Sequence, residues 1–235
     1  MAADRAASLL ADAVALERRD ETVAGELDTI RSLAERVGAV RSRAGEVRAA
    51  LERLPLEREE LAQRLAEAHA ESARSRDELA RAEERVTALE SSRRRREDEL
   101  DRARKELVTA RDAQRDAEAQ IARLGERAAE LDADERALQG ERDGLVRAAA
   151  DAAVELRANG RVTDAAGREP GTTLEQLEDW GGHARSALFV ARGTLENERE
   201  RIVVEANALG SAVLGEPLGA SSVALVRRRL EERLA

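Results

Sequence analysis

The sequence predicts an all-α protein: a long antiparallel coiled-coil rod of two or three long helices plus a short C-terminal helix. Of its 235 residues, 38% are charged, and Trp180 and Phe189 are its only aromatic residues. A globular core usually depends on aromatic side chains, which bury more area than any others. Ala, Leu, Glu and Arg dominate instead, as is typical of coiled coils. Apolar residues also recur at alternating spacings of three and four.

The first predicted element is a helix over residues 3–54. Its apolar positions fall in two heptad phases, separated by a three-residue stammer near Leu33. The first phase comprises Leu9, Ala13, Leu16, Val23, Leu27 and Ile30, and the second Val37, Val40, Ala44, Val47, Leu51 and Leu54. Pro55 follows, and proline costs about 3 kcal/mol inside a helix. The second phase continues in register from Leu61, which favours a kinked continuous helix. A reversal at Pro55 would instead let the first helix cover the next one.

The second element is a long central helix over residues 56–158, which carries the strongest signal in the chain. Its heptad runs from Leu61 to Leu156 without a phase change. One set of core positions is Leu61, Ala68, Ser75, Ala82, Leu89, Arg96, Ala103, Ala110, Ala117, Leu124, Leu131, Leu138, Leu145 and Ala152. The other is Leu65, Ser72, Leu79, Val86, Arg93, Leu100, Leu107, Gln114, Ile121, Ala128, Glu135, Arg142, Ala149 and Leu156.

A loop or reversal is predicted over residues 159–171, where Asn159-Gly160 and Pro170-Gly171 punctuate the chain. A returning helix follows over 172–214, capped by Thr172 or Thr173 with Glu175 or Gln176 as the capping-box partner. Its seam comprises Leu174, Leu177, Ala184, Leu188, Ala191, Leu195, Ile202, Leu209 and Val213. Gly181-Gly182 could break this helix early, and Gly215-Glu216-Pro217 ends it.

The last element is a short helix over 219–235, with Ser221 or Ser222 as its cap. Its predicted apolar face comprises Val223, Val226, Leu230 and Leu234. The first and third helices together are about as long as the central one. We therefore favour a rod in which each covers half of the central helix, over a parallel dimer of one nearly continuous helix. The well-signalled loop at 159–171 supports this choice.

Three sets of residues are candidate partner contacts. Trp180 and Phe189 lie just beyond the loop, and we expect them to anchor it onto the long helix near Leu145–Leu156; the alternative is a binding hot spot. Two arginine clusters are the other candidates. The first cluster would contact nucleic acid or an acidic partner, or form a solvated and weakly packed part of the seam. It comprises Arg93, Arg94, Arg95 and Arg96. Arg227, Arg228 and Arg229 would bind nucleic acid or lipid, or belong to a solvated amphipathic helix.

Enzyme chemistry has little support in the sequence. There is no cysteine, no glycine-rich phosphate loop and no nucleophile elbow, and neither His69 nor His183 has metal-ligand spacing. We expect no catalytic residue, no cofactor and no metal. The net charge of −9 argues against a dedicated duplex-DNA binder. The sequence predicts neither a signal peptide nor a membrane span, which favours a cytoplasmic location.

The heptad arms, and the motif Ala208-Leu209-Gly210 to Leu214-Gly215-Glu216-Pro217-Leu218, resemble coiled-coil arm segments of SMC/Rad50-type chromosome-maintenance ATPases. The resemblance implies an arm or accessory segment of such a complex. Walker A, Walker B, signature and zinc-hook CxxC motifs are all missing, so it implies no ATPase activity. The leading hypothesis is a non-enzymatic scaffold that bridges protein partners or self-associates through its coiled coil. A DNA-maintenance arm, or a nucleic-acid or membrane-surface binder, is the alternative.

Overall fold

The computed structural model describes residues 2–92, 97–162, 168–215, 220 and 222–234. Over these residues the protein is all-helical, as predicted, with no strand. The helices are α1, Ala2–Ser91; α2, Glu97–Ala158; α3, Leu174–Leu214; and α4, Val223–Leu234. The chain divides into two compact units. Unit 1 contains residues 1–46 and 142–235, and unit 2 contains residues 47–141.

Helix α1 passes through Pro55, so the predicted end of the first helix at residue 54 is wrong. The predicted central helix over 56–158 is also wrong, because α1 ends at Ser91 and α2 begins at Glu97. Leu54 and Leu61, on either side of the proline, are both buried against Leu131. This shared packing offsets the local cost of a proline in a helix, about 3 kcal/mol.

Unit 2 is a pair of antiparallel helical segments, one from α1 and one from α2. Across these ion pairs, residues far along α1 pair with residues near the start of α2: Glu57 and Arg58 reach residues 127–135, whereas Glu90 reaches Arg104. The pairs are Arg58 with Asp132 and Glu135, Glu57 with Arg127, Arg76 with Glu118, Glu83 with Arg111, Arg85 with Glu106, and Glu90 with Arg104. The two helices are therefore paired from Glu57 to Glu90.

The seam between these two segments is thin and partly polar. Its apolar cluster consists of Leu54, Leu61 and Leu131, with five half-buried neighbours, Leu51, Leu65, Leu124, Ala128 and Leu138. Farther along, Ser72, Ser75 and Gln114 are 2%, 4% and 7% exposed. Within the described residues, the Ser72 hydroxyl and Gln114 Oε1 have no hydrogen-bond partner. The buried faces here come from small or polar side chains as well as leucine.

Unit 1 packs the first half of α1 with the end of α2, α3 and α4. Its core follows the predicted register of α1, including the stammer, since Ile30, Leu33 and Val37 are all at most 1% exposed. Helix α3 runs antiparallel to α1: Gly181 lies against Arg41, while Glu205 pairs with Arg19. From the sequence we expected α3 to lie along the central helix. Its packing against α1 was not predicted.

The ends of α3 and α4 follow their predicted local signals. Thr173 caps α3 and forms a capping box with Gln176, and Gly215 ends the helix in the left-handed region, with φ of 75°. Gly181-Gly182 does not interrupt α3. Ser222 Oγ accepts a hydrogen bond from the Leu225 N–H at 3.4 Å, at the start of α4. The alternative cap Ser221, and Glu216-Pro217, lie outside the described residues.

Candidate functional site

Trp180 lies in the core of unit 1, next to a close approach of α3 to α1 at Gly181. Its side chain is 4% exposed, and the neighbouring Gly181 is buried as well. A Cβ atom on Gly181 would lie 2.7 Å from Arg41 Cβ, inside any normal carbon–carbon contact. The close approach therefore requires glycine at this position. Trp180 packs into the interior at this crossing of α3 and α1.

Phe189 does not share that role. Nine residues at about 100° per residue place its side chain on the opposite side of the helix from Trp180. Phe189 is 76% exposed, and the adjacent Val190 is 67% exposed. The expectation that both aromatic residues anchor the loop is therefore wrong for Phe189. One of the two aromatic side chains, Phe189, therefore lies on the surface.

Phe189 borders a groove between α1 and α3 in unit 1. The groove encloses about 560 Å³, and its lining residues are Ile30, Arg31, Ala34, Glu35, Gly38, Arg185, Leu188, Phe189 and Arg192. The buried side chains of Ile30 and Leu188 form its apolar floor. The small residues Ala34 and Gly38 leave its α1 side open, and a Cβ atom on Gly38 would meet nothing within 4 Å.

The charges around this groove are mainly positive. Arg31, Arg185 and Arg192 are exposed, and Glu35 is the single acid among the lining residues. Arg31 donates to Asp28 at 3.2 Å, and Arg192 donates to Glu196 at 2.7 Å. Each of these two partners lies on the same helix as its arginine. Among the described residues, Arg185 has no ion pair.

The surrounding stretch of α3 is depleted of acids. Between Asp179 and Glu196 the sequence contains Arg185, Arg192 and His183 but no Asp or Glu, in a chain with 49 acidic residues. The structure thus combines a local basic surface with an exposed aromatic ring. This gap in the acid pattern is the one sequence signal that could have indicated the groove.

A smaller cleft near Trp180 contains His183, Arg168 and Asp179, and its volume is about 200 Å³. His183 Nδ1 lies 2.8 Å from the Asp179 carbonyl oxygen, and Nε2 lies 3.1 Å from an Arg168 guanidinium nitrogen. A carbonyl oxygen can only accept and a guanidinium can only donate, so the two contacts ask for opposite hydrogen-bonding roles from the two ring nitrogens. Both ring nitrogens are thus engaged. No three His, Asp or Glu side chains in the described ranges cluster as a metal site.

The C-terminal arginine cluster is largely neutralised by acids. Arg227 pairs with Glu231 on its own helix and with Glu17 on α1. Hydrogen bonds to these two carboxylates hold the pKa of Arg227 above its usual range. Arg228 lies 3.6 Å from Glu232, and Arg229 is exposed. Arg227 therefore ties α4 to α1, while Arg93, Arg94, Arg95 and Arg96 lie outside the described residues.

Two further ion pairs hold helices of unit 1 together. Arg36 on α1 binds Glu155 on α2 through both carboxylate oxygens, and this bonding lowers the pKa of Glu155. Arg199 on α3 donates to Asp20 on α1 at 2.9 Å, and Asp20 raises the pKa of Arg199. These pairs link the flanks of helices whose apolar faces are already packed together.

Comparison with known proteins gives no relative. No family model, no curated protein and no solved structure matches the chain. Over the described ranges, none of the helices combines the length and apolar character that crossing a bilayer requires.

Proposed function

We propose that the protein is a non-enzymatic coiled-coil scaffold that spaces or bridges protein partners through helix–helix contacts. The observation that carries this proposal is the antiparallel pairing of α1 and α2 in unit 2. Each segment contributes about 45 residues, or about 65 Å of helix at 1.5 Å per residue. Two helices that share one thin seam leave most of their surface available to other molecules.

The chemistry of unit 2 supports a mechanical role. Among its described residues, the buried polar groups are two serines and one glutamine, and the charged residues lie at the flanks of the seam. Flanking pairs such as Arg85–Glu106, at 2.8 Å, set the register between the helices. A two-helix layer of this kind has no interior that could shield a reaction from water.

The coiled-coil rod predicted from the sequence is part of this proposal. Light scattering combined with small-angle scattering measures the mass and the longest dimension together. We expect an elongated particle, and a compact particle would contradict the rod.

Bridging predicts that both units contact other protein chains in the cell. The test places a photo-crosslinking amino acid at Phe189 in unit 1 and at Val108 in unit 2, which are 76% and 58% exposed. The matched control places it at Arg115, a charged position whose side chain is 82% exposed. We expect cross-links to other chains from the two apolar positions and far fewer from Arg115. Equal yields at all three positions would contradict bridging.

An arm or accessory segment of an SMC/Rad50-like complex is a second proposal, supported by the antiparallel pairing in unit 2. It predicts that the purified chain binds a P-loop ATPase of the same organism, and failure to co-purify with any such ATPase would count against it. The neutralised cluster at Arg227 and Arg228 gives less support to nucleic-acid or lipid binding.

A further inference from the structure

We propose that the groove between α1 and α3, bordered by Phe189 and floored by Ile30 and Leu188, is a docking site for an acidic amphipathic helix of a partner protein. This inference rests on the proposed bridging function, since it names the surface and the kind of partner for unit 1.

The shape fits an elongated apolar ridge. The groove lies between two antiparallel helices, and its 560 Å³ are bounded by Ala34 and Gly38 on α1 and by Phe189 on α3. Amphipathic helices bind such grooves by inserting residues spaced three and four apart. An inserted leucine would cover the face of Phe189, which is now 76% exposed to solvent.

Gly38 is the residue that keeps the groove open on the α1 side. It lies within α1, where glycine is less favourable than alanine, and a Cβ atom there would meet nothing within 4 Å. Local packing therefore does not require glycine at this position, unlike at Gly181. The absent side chain leaves room for a ligand.

The charge selects the class of partner. Three arginines and one glutamate line the groove. Arg31 and Arg192 pair with Asp28 and Glu196 of their own helices, whereas Arg185 has no ion pair among the described residues. The adjoining stretch of α3 between Asp179 and Glu196 has no acid. Carboxylates flanking the apolar ridge of a partner would meet Arg185, Arg31 and Arg192 at the rim. Such rim charges give specificity and speed of association. The apolar lining and the exposed ring of Phe189 favour a protein helix over a phosphate polymer, which is bound mainly through basic side chains.

The test uses the full-length protein and a fluorescein-labelled synthetic peptide of about three heptads, with leucine at a and d and glutamate at the flanks. Two further probes are the same peptide with lysine in place of glutamate and a single-stranded oligonucleotide. Fluorescence anisotropy measures each affinity at low and high salt. We expect the acidic peptide to bind saturably and at least about tenfold more tightly than either of the other probes.

Gly38→Leu fills the groove with a side chain, and Gly25→Leu is its matched control. Gly25 lies on the same helix, is exposed, and also has nothing within 4 Å of an added Cβ. We expect Gly38→Leu to weaken peptide binding at least about tenfold and Gly25→Leu to leave it unchanged. Because both substitutions favour the helix, neither should lower the melting temperature. Arg185→Glu should weaken binding and reduce its salt dependence.

Three results would overturn the inference: no saturable binding of the acidic peptide, equal binding by the Gly38→Leu variant, or tighter binding of the oligonucleotide. A dimer in light scattering that Gly38→Leu dissociates would assign the groove to a second copy of the chain instead. These outcomes are separate from the bridging test. A chain that fails to bind the peptide can still cross-link through Val108, and a chain that binds it can still lack contacts in unit 2.

Discussion

The same substitution at two glycines should change stability in opposite directions. Gly38→Ala removes the cost of glycine in a helix, about 1 kcal/mol, and meets nothing within 4 Å, so it should stabilise unit 1 by about that amount. Gly181→Ala brings the same gain but places its Cβ 2.7 Å from Arg41 Cβ and 3.5 Å from Arg41 Cα. Overpacking of this kind costs about 1–3 kcal/mol.

The two variants should therefore differ by about 1–3 kcal/mol in the free energy of unfolding, with Gly38→Ala the more stable. For a chain of this size each kcal/mol moves the melting temperature by about 2–4 °C. Trp180 is the only tryptophan and is buried beside Gly181, so its fluorescence reports unfolding of unit 1 directly. Gly25→Ala is the control and should behave like Gly38→Ala. A Gly181→Ala variant as stable as Gly38→Ala would refute the close contact between α3 and α1.

Three further substitutions test other parts of the structure. Because Pro55 lies inside α1, Pro55→Ala should raise the free energy of unfolding by up to about 3 kcal/mol. The helicity measured by circular dichroism should stay unchanged. A less stable variant would count against the continuous helix. Gln114→Leu removes a buried carbonyl oxygen that has no partner, and it also removes the hydrogen bond from Gln114 Nε2 to the exposed Glu118. The net effect in denaturant titrations should be a stabilisation of unit 2 by up to about 1 kcal/mol, and a clear loss of stability would contradict this interpretation of the seam. Glu155→Gln tests the ion pair with Arg36, which lowers the pKa of Glu155 in the folded state. The pair therefore stabilises the fold above the unfolded pKa, and this contribution is lost as pH falls through the folded value. Melting temperatures from about pH 6 to about pH 3 should fall less for Glu155→Gln than for the unchanged chain, and parallel curves would argue against the pair.

The register of the helices could be predicted closely from the sequence. Nearly all predicted seam positions within the described ranges are buried or half-buried, and the exposed Arg142 is the exception. The ends of α3 were also predictable, because Thr173 and Gly215 act through local backbone chemistry. Periodicity and capping depend on neighbours in the sequence, so a single chain is enough to find them.

The positions of the breaks were not predictable in the same way. Proline has a known local cost, but the packing of Leu54 and Leu61 on one face outweighs it. Conversely, the heptad resumes in phase after Glu97, so the apolar spacing alone does not indicate that α1 ends at Ser91 and α2 begins at Glu97. A signal was present: Glu97, Asp98 and Glu99 provide the acidic first turn that favours the start of a helix.

The groove could not be derived from the sequence because it joins helices that are distant along the chain. Helical periodicity shows that Leu188 faces inward and that Phe189, one residue on, points elsewhere. It does not show that Ala34 and Gly38 of α1 lie beside them. Only the pairing of α1 with α3 brings these residues together.

The antiparallel pairing of α1 and α2 in unit 2 is tested most directly by one distance. The chain has no cysteine, so Arg76→Cys and Glu118→Cys can be spin-labelled specifically, with unlabelled protein added to remove contributions between chains. Arg76 and Glu118 form an ion pair of 3.5 Å in this structure. Double electron–electron resonance should give a label separation below about 25 Å, whereas one continuous helix would place the two residues about 60 Å apart, at 1.5 Å per residue. The short distance is our prediction, and a distance near the longer value would contradict the antiparallel fold.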